Sequence, residues 1–340
     1  MSFTLSAPAP TPAVGILGTG SYVPERHVSN AQVAEWVDVP EDWIEKKTQI
    51  AGRRYAADHE ATSDLARCAA IDALRDADLN ANQIDYLIVS TSTPDSPQPP
   101  TAYHVQRGLG ADSAACFDIN VVCSGFVYGL ALARSLVLAD PTSHVLVVAA
   151  DVYSRILDFT DRRTAVLLGD GAGAAVVGVV PQGRGFVGFE LGSRGDAHDL
   201  IRVEAGGSRL PASRQTVVDG QHYFRMQGRD VRDFVMTNFP PFLGRLCDRT
   251  GVDRAAIQHF VPHQPNGVLL TELVKRAGLA HATTHRTLER YGNTGSASCA
   301  LTLDKANEAG RFSDGDLVLI GSFGGGMSMG VGLMRWTATR

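Results

Sequence analysis

The sequence predicts an α/β protein made of two similar halves, and three observations carry that prediction. Short β-branched runs alternate with helical patterns along the chain, the order of those elements repeats, and each half closes with a strand after a glycine turn. The runs are Tyr86–Val89, Val145–Ala149 and Ala174–Val180 in the first half, and Phe260–Val261, Leu317–Ile320 and Gly330–Met334 in the second. Apolar throughout, they read as strands of mainly parallel sheets buried between helices. The repeat can be followed element by element. Asn120–Ser124 leads into an apolar helix over Gly125–Leu138, then the strand at Val145–Ala149, then the turn Gly169–Gly173 and a further strand. Gly292–Ser296 likewise leads into a helix, then Leu317–Ile320, then the turn Gly324–Gly326 and the last strand. The expected division is a loose leader over residues 1–12, an N-terminal half over 13–182 and a C-terminal half over 183–340. Pro181 to about Gly220, rich in Gly, Arg and Ser, reads as the connection with an excursion.

At 340 residues and 44% hydrophobic, the chain can bury a large core. A net charge of -5 and the lack of any Lys/Arg run argue against nucleic acid or an anionic membrane as main partner. No apolar stretch is expected to approach the length of a bilayer span. The N-terminus lacks the basic start and apolar run of a signal peptide. The five cysteines (68, 116, 123, 247, 299) are odd in number and form no CxxC pair, which disfavours a disulfide framework or zinc knuckle and suits a reducing cytoplasm.

The chemistry is expected at Cys123. The run from Phe117 to Phe126 reads as a buried strand turning abruptly into the Gly125–Leu138 helix with the cysteine at the turn. There a thiol faces the unpaired N–H groups and positive end of the helix, which favour thiolate. The competing reading is a small core residue. Two further polar landmarks stand at strand-to-helix turns: His263 in Val261-Pro262-His263-Gln264-Pro265-Asn266, and Asn293 in Tyr291-Gly292-Asn293-Thr294-Gly295. Other motifs carry less. Gly15-Ile16-Leu17-Gly18-Thr19-Gly20 has the wrong spacing for a dinucleotide fingerprint, and Gly169–Gly173 lacks the Lys-Ser/Thr of a phosphate loop. Gly326-Met327-Ser328-Met329-Gly330 matches the G-x-S-x-G elbow, but only ten residues follow, too few for the acid and histidine. His281 and His285 stand i, i+4 without a third ligand, so no metal site is expected.

Seven motifs in order resemble β-ketoacyl-[acyl-carrier-protein] synthase III, the initiating condensing enzymes of the thiolase fold. They are Gly18–Pro24, Asp42–Glu45, Asp118–Phe126, Leu168–Ala175, His263–Asn266, Tyr291–Thr294 and Phe323–Gly326. The resemblance implies a thiolase-like fold with duplicated βαβαβαββ halves in a five-layered αβαβα arrangement. It implies a Cys123–His263–Asn293 triad, with the backbone N–H groups of Cys123 and Gly325 as oxyanion hole. Cys123 would take the acyl group of an acyl-CoA; His263 and Asn293 would stabilise the enolate formed as a malonyl thioester loses carbon dioxide. The malonyl group would arrive on CoA or on a carrier protein, and no metal or nicotinamide cofactor is needed. Trp43 and Arg155 would sandwich the adenine of CoA, Lys47 stands where an Arg is usual, and Asn266 would touch the pantetheine arm. The loop Thr93–Thr101 would reach the partner subunit's acyl pocket in a homodimer, with Pro99 in place of the usual Phe. Val268 and Asp233 replace expected cations, which puts carrier docking in doubt and points to polyketide or other secondary-metabolite priming over bulk fatty-acid initiation. A same-family acyltransferase acting on a hydroxyl or amine and a non-catalytic partner subunit are the rival readings; retention of all three triad residues speaks against the second.

Overall fold

The computed structural model describes residues 11–338; the first ten residues of the expected leader lie outside them. The first half runs β1 (Ala13–Tyr22), α1 (Thr62–Asp76), β2 (Tyr86–Ser90), α2 (Thr101–Leu109), β3 (Ala115–Ile119), α3 (Gly125–Ala139), β4 (Val145–Asp151) and β5 (Gly171–Val180). The second runs β6 (Gly185–Ser193), α4 (Gly228–Thr250), β7 (His259–Pro262), α5 (Gly267–Arg276), β8 (Thr283–Thr284), α6 (Ala297–Glu308), β9 (Leu317–Gly324) and β10 (Ser328–Arg335). Both halves are thus βαβαβαββ, with short additional elements in their loops. The strand order agrees as well: β1-β5-β4-β2-β3 in one five-stranded sheet and β6-β10-β9-β7-β8 in the other, each half using its first, fifth, fourth, second and third strand.

Two sequence expectations need correction. The sheets are mixed, because the last strand of each half runs antiparallel to both neighbours while only the second, third and fourth strands pair in parallel. The supposed connection after Pro181 is four residues long, and Gly185–Ser193 is a strand on β10. Gly188 and Gly192 hide it by breaking the β-branched pattern. Their missing side chains leave room for Leu246 and Phe242 of α4, which a Cβ there would approach to 3.4 Å and 2.8 Å respectively.

α3 and α6 lie between the sheets, each touching strands of both, while α1 and α2 cover one outer face and α4 and α5 the other. That is the five-layered arrangement. The central cluster joins Phe126, Val127 and Leu130 of α3, Cys299, Ala300 and Leu303 of α6, and β-branched residues of both sheets. Val122–Ala139 is long and apolar enough to cross a membrane by length and composition, contrary to expectation, with a mean hydropathy of 1.7 over 18 residues. Its position between two sheets explains the composition: a helix packed on both faces needs no polar stripe. Gly18 and Gly20, the would-be dinucleotide turn, lie in β1, where a Cβ would stand 2.4 Å and 2.2 Å from the backbone nitrogens of Ala77 and Ala73. They let α1 and its C-terminal end lie directly on the strand.

Candidate active site

Cys123 sits in a single tight turn, Val122–Ser124, between β3 and α3. Val122 is held at φ 47°, a left-handed conformation costing a β-branched residue about 1–2 kcal/mol. The surroundings hold this turn in place. Ser328, the serine of the false hydrolase elbow, reaches the Val121 carbonyl at 3.3 Å and the Ser124 hydroxyl at 3.0 Å. Gly324 closes the turn from the other half, so near that a Cβ would stand 2.7 Å from the Cys123 amide nitrogen. Cys123 as a whole is 7% exposed. Burial, helped by the neighbouring Asp151 carboxylate and Cys299, pushes its pKa up, so the expected resting thiolate gives way to a protonated thiol. The helix end is outweighed by desolvation. The hydroxyl of Tyr153 works in the opposite sense, favouring the thiolate.

His263 follows β7, its backbone N–H donating to the Gly321 carbonyl of β9 at 2.7 Å. Its ring stands edge-on to Phe323, centroids 5.2 Å apart, two residues further along the same strand and next to the Gly324 that backs Cys123. β9 therefore registers histidine and cysteine against each other. The imidazole is 2% exposed, and burial lowers its pKa to about 3, so it is neutral at physiological pH. Nδ1 lies 2.6 Å from the Ser298 hydroxyl; Nε2 has no protein partner among the described residues. Asn293 bridges the halves: its N–H donates to the Leu167 carbonyl at 2.8 Å, and its carbonyl accepts from Gly169 at 2.9 Å. Its side-chain Oδ1 accepts from the Gly295 N–H at 3.0 Å, which turns the amide and leaves Nδ2 without a protein partner among the described residues.

Asn293 and Phe323 line a cavity of about 650 Å³, whose lining includes neither Cys123 nor His263. Its wall and mouth carry Trp43, Lys47, Arg162, Arg229, Asn266 and Val268. Arg162, not Arg155, is the partner of Trp43: its guanidinium carbon stands 5.9 Å from the ring centroid. Arg155 lines a different pocket with Trp36 and Phe159, donates to the Ala57 carbonyl at 2.8 Å and pairs with Asp58 at 3.9 Å. The short turn Tyr153–Arg155 directs it away from the mouth, whereas Asp161-Arg162-Arg163 brings a guanidinium back towards it. Lys47 is exposed, and its carbonyl accepts from Asn266 Nδ2 at 3.2 Å. The Asn266 Oδ1 caps α5, accepting from Val268 and Leu269 at 2.8 Å and 3.1 Å, so this residue joins the Trp43 helix (Glu41–Thr48) to α5 at the cavity wall. Gly325 lies beside Ile201 and Val122, and Pro99 lies exposed on the loop after β2. Asp233 pairs with Arg232 at 2.9 Å, and Glu272 engages Arg232 and Arg276 at 2.6 Å and 3.0 Å.

Three buried residues of this region escaped sequence reasoning: Tyr153, Ser298 and Asp151. The last accepts from the backbone of Ser92 and Ser296, both at 2.8 Å, tying the loop after β2 to the turn before α6.

The description of 3-oxoacyl-[acyl-carrier-protein] synthase III matches residues 117–195, and that of its C-terminal part matches residues 247–336. An acetoacetyl CoA synthase, NphT7 of Streptomyces sp. (strain CL190), is 50% identical over 94% of this chain and 98% of its own. The chain belongs to the 3-oxoacyl-[acyl-carrier-protein] synthase III family. A β-ketoacyl-[acyl-carrier-protein] synthase III of Caldanaerobacter subterraneus subsp. tengcongensis is 42% identical over 96% of this chain and 98% of its own. Among solved structures, the priming β-ketosynthase of the R1128 polyketide pathway superposes with a TM-score of 0.89 at 33% identity, covering 98% of this chain and 99% of that one. The synthase III family accounts for the duplicated fold.

Proposed function

We propose that this synthase transfers an acyl group from acyl-CoA to Cys123 and condenses it with malonyl-CoA, releasing carbon dioxide and a β-ketoacyl-CoA. The observation that carries the reading is that a neutral, deeply buried His263 and the Asn293 amide, which lines the cavity, each keep a nitrogen, Nε2 and Nδ2, without a protein partner among the described residues. In the first step the Cys123 sulfur attacks the thioester carbon, and the N–H groups of Cys123 and Gly325 hold the oxyanion. The C–S bond to CoA breaks, and the thiol proton ends on the departing CoA sulfur. In the second step the malonyl carboxylate leaves as carbon dioxide. Its electron pair becomes an enolate whose oxygen accepts from His263 and Asn293. The enolate carbon then attacks the acyl-cysteine, and the Cys123 thiolate departs. Donors fixed beforehand in a dry site stabilise such a charge without reorganising. A cationic imidazole would bind the ground state too, whereas a neutral donor waits for the charge. Asn293 favours this reading over acyl transfer to a hydroxyl or amine, which needs a base more than a second donor.

A CoA-bound malonyl group is the acceptor supported by the mouth. Trp43 and Arg162 offer an aromatic face and a cation to a nucleotide, while Arg232 and Arg276 share Glu272 and have less charge left for an acidic carrier protein. The 50% identical relative, an acetoacetyl CoA synthase, points the same way. We place a homodimer contact at the edge strand β3, whose Phe117 is exposed, as is Tyr103 of the α2 helix that packs on this strand. Intact-mass measurement after incubation with acetyl-CoA, followed by malonyl-CoA, tests the sequence of steps. A Cys123→Ala variant that gains the same mass as wild type would move the nucleophile elsewhere. His263→Ala and Asn293→Ala should load the acyl group and release little carbon dioxide; normal release by both would remove their assigned role.

A further inference from the structure

We infer that Ser298 is a positioning residue that fixes the tautomer of His263, holding the ring proton on Nε2 where the enolate oxygen needs a donor. This rests on the role proposed above for His263 and adds the group that makes it a donor. A neutral imidazole carries one proton, and the hydrogen bond made by one nitrogen decides which carries it. Here that bond is short and buried: Nδ1 to the Ser298 hydroxyl oxygen is 2.6 Å, with His263 2% and Ser298 1% exposed.

The direction of the bond follows from what else the hydroxyl meets. The Gln264 backbone N–H points at the same oxygen from 3.4 Å, so one lone pair faces a donor. Gln264 cannot swing away, because its side chain donates to the Pro262 and His285 carbonyls at 2.9 Å and 3.2 Å and accepts from the Thr287 and Leu288 N–H groups at 3.1 Å and 3.3 Å. Among the described residues, the remaining acceptor near the hydroxyl is the Cys299 sulfur, which is weak and sends its own proton to the Gly321 carbonyl at 3.6 Å. The Ser298 proton therefore goes to Nδ1, and the ring proton stays on Nε2. The opposite tautomer would place two donors, Nδ1–H and Gln264 N–H, on one hydroxyl whose own proton lacked a strong acceptor. It would also present a lone pair to an enolate oxygen. Ser298 sits in the first turn of α6, four residues ahead of Thr302, whose hydroxyl meets that of Thr287 at 2.7 Å; the helix is thus anchored where the serine must not drift.

The test uses the full-length protein with ¹⁵N-labelled histidine, the His263 signals being assigned by their loss in His263→Gln. Wild type should show the nitrogen shifts of a single tautomer protonated at Nε2, Ser298→Ala a mixture, and Ser298→Thr, which keeps the hydroxyl, the wild-type pattern. In parallel, Ser298→Ala should load acetyl groups at a rate within about twofold of wild type. Its release of carbon dioxide from malonyl-CoA should fall roughly 10- to 100-fold, well short of the ~10⁴-fold loss when a buried carboxylate that orients a histidine is neutralised. Should Ser298→Ala fail to fold, Ser298→Cys, similar in size with a much weaker donor, carries the same measurements. A wild-type signal protonated at Nδ1, or a hydroxyl-free variant that keeps a pure Nε2–H tautomer, overturns the inference. So does a parallel loss of loading and decarboxylation, which would mark a purely structural role. If wild type fails to load Cys123 at all, the proposed function falls, while the nitrogen shifts still decide the tautomer.

Discussion

Replacing Gly324 with alanine should silence acylation while leaving the protein folded. The added Cβ would lie 2.7 Å from the Cys123 amide nitrogen and 3.1 Å from both the Cys123 Cβ and the Ser124 amide nitrogen. Ordinary contact between such atoms is about 3.5 Å, so β9 and the cysteine turn must part by roughly 0.8 Å. Both partners are backbone in buried elements, which cannot rotate out of the way as a side-chain tip could. Overpacking of this kind costs roughly 1–3 kcal/mol, tolerable for a domain of this size. Catalysis should suffer more. An oxyanion donor must stand about 2.7–3.1 Å from the developing charge, and removing one costs about 10²–10³ in rate. Displacement by 0.8 Å carries the Cys123 N–H outside that range, so acyl-enzyme formation should fall by about the same 10²–10³. The assay is the rate of mass gain with acetyl-CoA, with urea unfolding alongside. Gly325→Ala is the comparison: its Cβ would meet side-chain atoms of Ile201 and Val122 at 3.3 Å and 3.4 Å, which can yield, and its loss should be much smaller. Wild-type acylation by Gly324→Ala would refute the placement of the oxyanion hole against β9.

Arg162→Ala should raise KM for acetyl-CoA about 5- to 30-fold, the equivalent of roughly 1–2 kcal/mol for a cation–π contact and an exposed charge, with kcat little changed. Arg155→Ala should leave KM alone, and the reverse pattern in steady-state kinetics would return the nucleotide site to Arg155. Asp151→Asn removes a buried negative charge next to the thiol, so Cys123 should react faster with iodoacetamide at fixed pH. It also leaves an amide facing N–H donors, for about 1–3 kcal/mol of lost stability by urea unfolding; slower alkylation would contradict the electrostatic assignment. Acidification should destabilise the fold. His263 and His285 have pKa values lowered to about 3 and about 4, so between those values and the ordinary 6.5 the unfolded chain binds more protons. Each contributes stability that is full above pH 6.5 and is lost as pH falls, by at most about 1.4 kcal/mol per pH unit. Urea midpoints at pH 7 and pH 5 should differ, and less so in His285→Gln; an unchanged difference would exclude His285.

Strands with β-branched runs and the three polar landmarks were legible because local pattern and position coincide there. Cys123 and His263 each follow a strand and precede a helix, as expected, whereas Asn293 follows the short helix Leu288–Tyr291 and only then leads into α6; an element order repeated in two halves places these turns at one junction. What the sequence concealed has a physical cause in each case. β6 was hidden because it packs its glycines under α4, exchanging strand pattern for close approach. The thiolate was overestimated because helix-end electrostatics can be read from sequence, whereas the opposing desolvation depends on what the other half lays over the turn. Arg155 is what the family resemblance implies as the partner of Trp43; the turn after Val152 sends that arginine away, and no sequence signal marks Arg162, which the Asp161–Arg163 turn brings over the Trp43 ring. Ser298 carries no motif at all. Its role is visible only once α6 is seen to place that hydroxyl against Nδ1.

The duplication also explains why this fold can hold unlike chemistry at like positions. The turn between the third strand and third helix holds Cys123 in the first half and Asn293 to Ser296 in the second; the turn after the second strand holds Ser92 in the first and His263 in the second. Four loops at the carboxyl ends of parallel strands therefore meet where the halves face each other, the usual place for ligands in α/β sheets. Asp151, whose carboxylate accepts from the Ser296 N–H, and Asn293, through its own backbone N–H and carbonyl, sew that meeting together from one half to the other. A substitution that loosens either seam should disturb nucleophile and donors together, whereas Ser298→Ala should disturb the histidine alone. That difference lets loading and decarboxylation be read as separate reports on the two halves of one site.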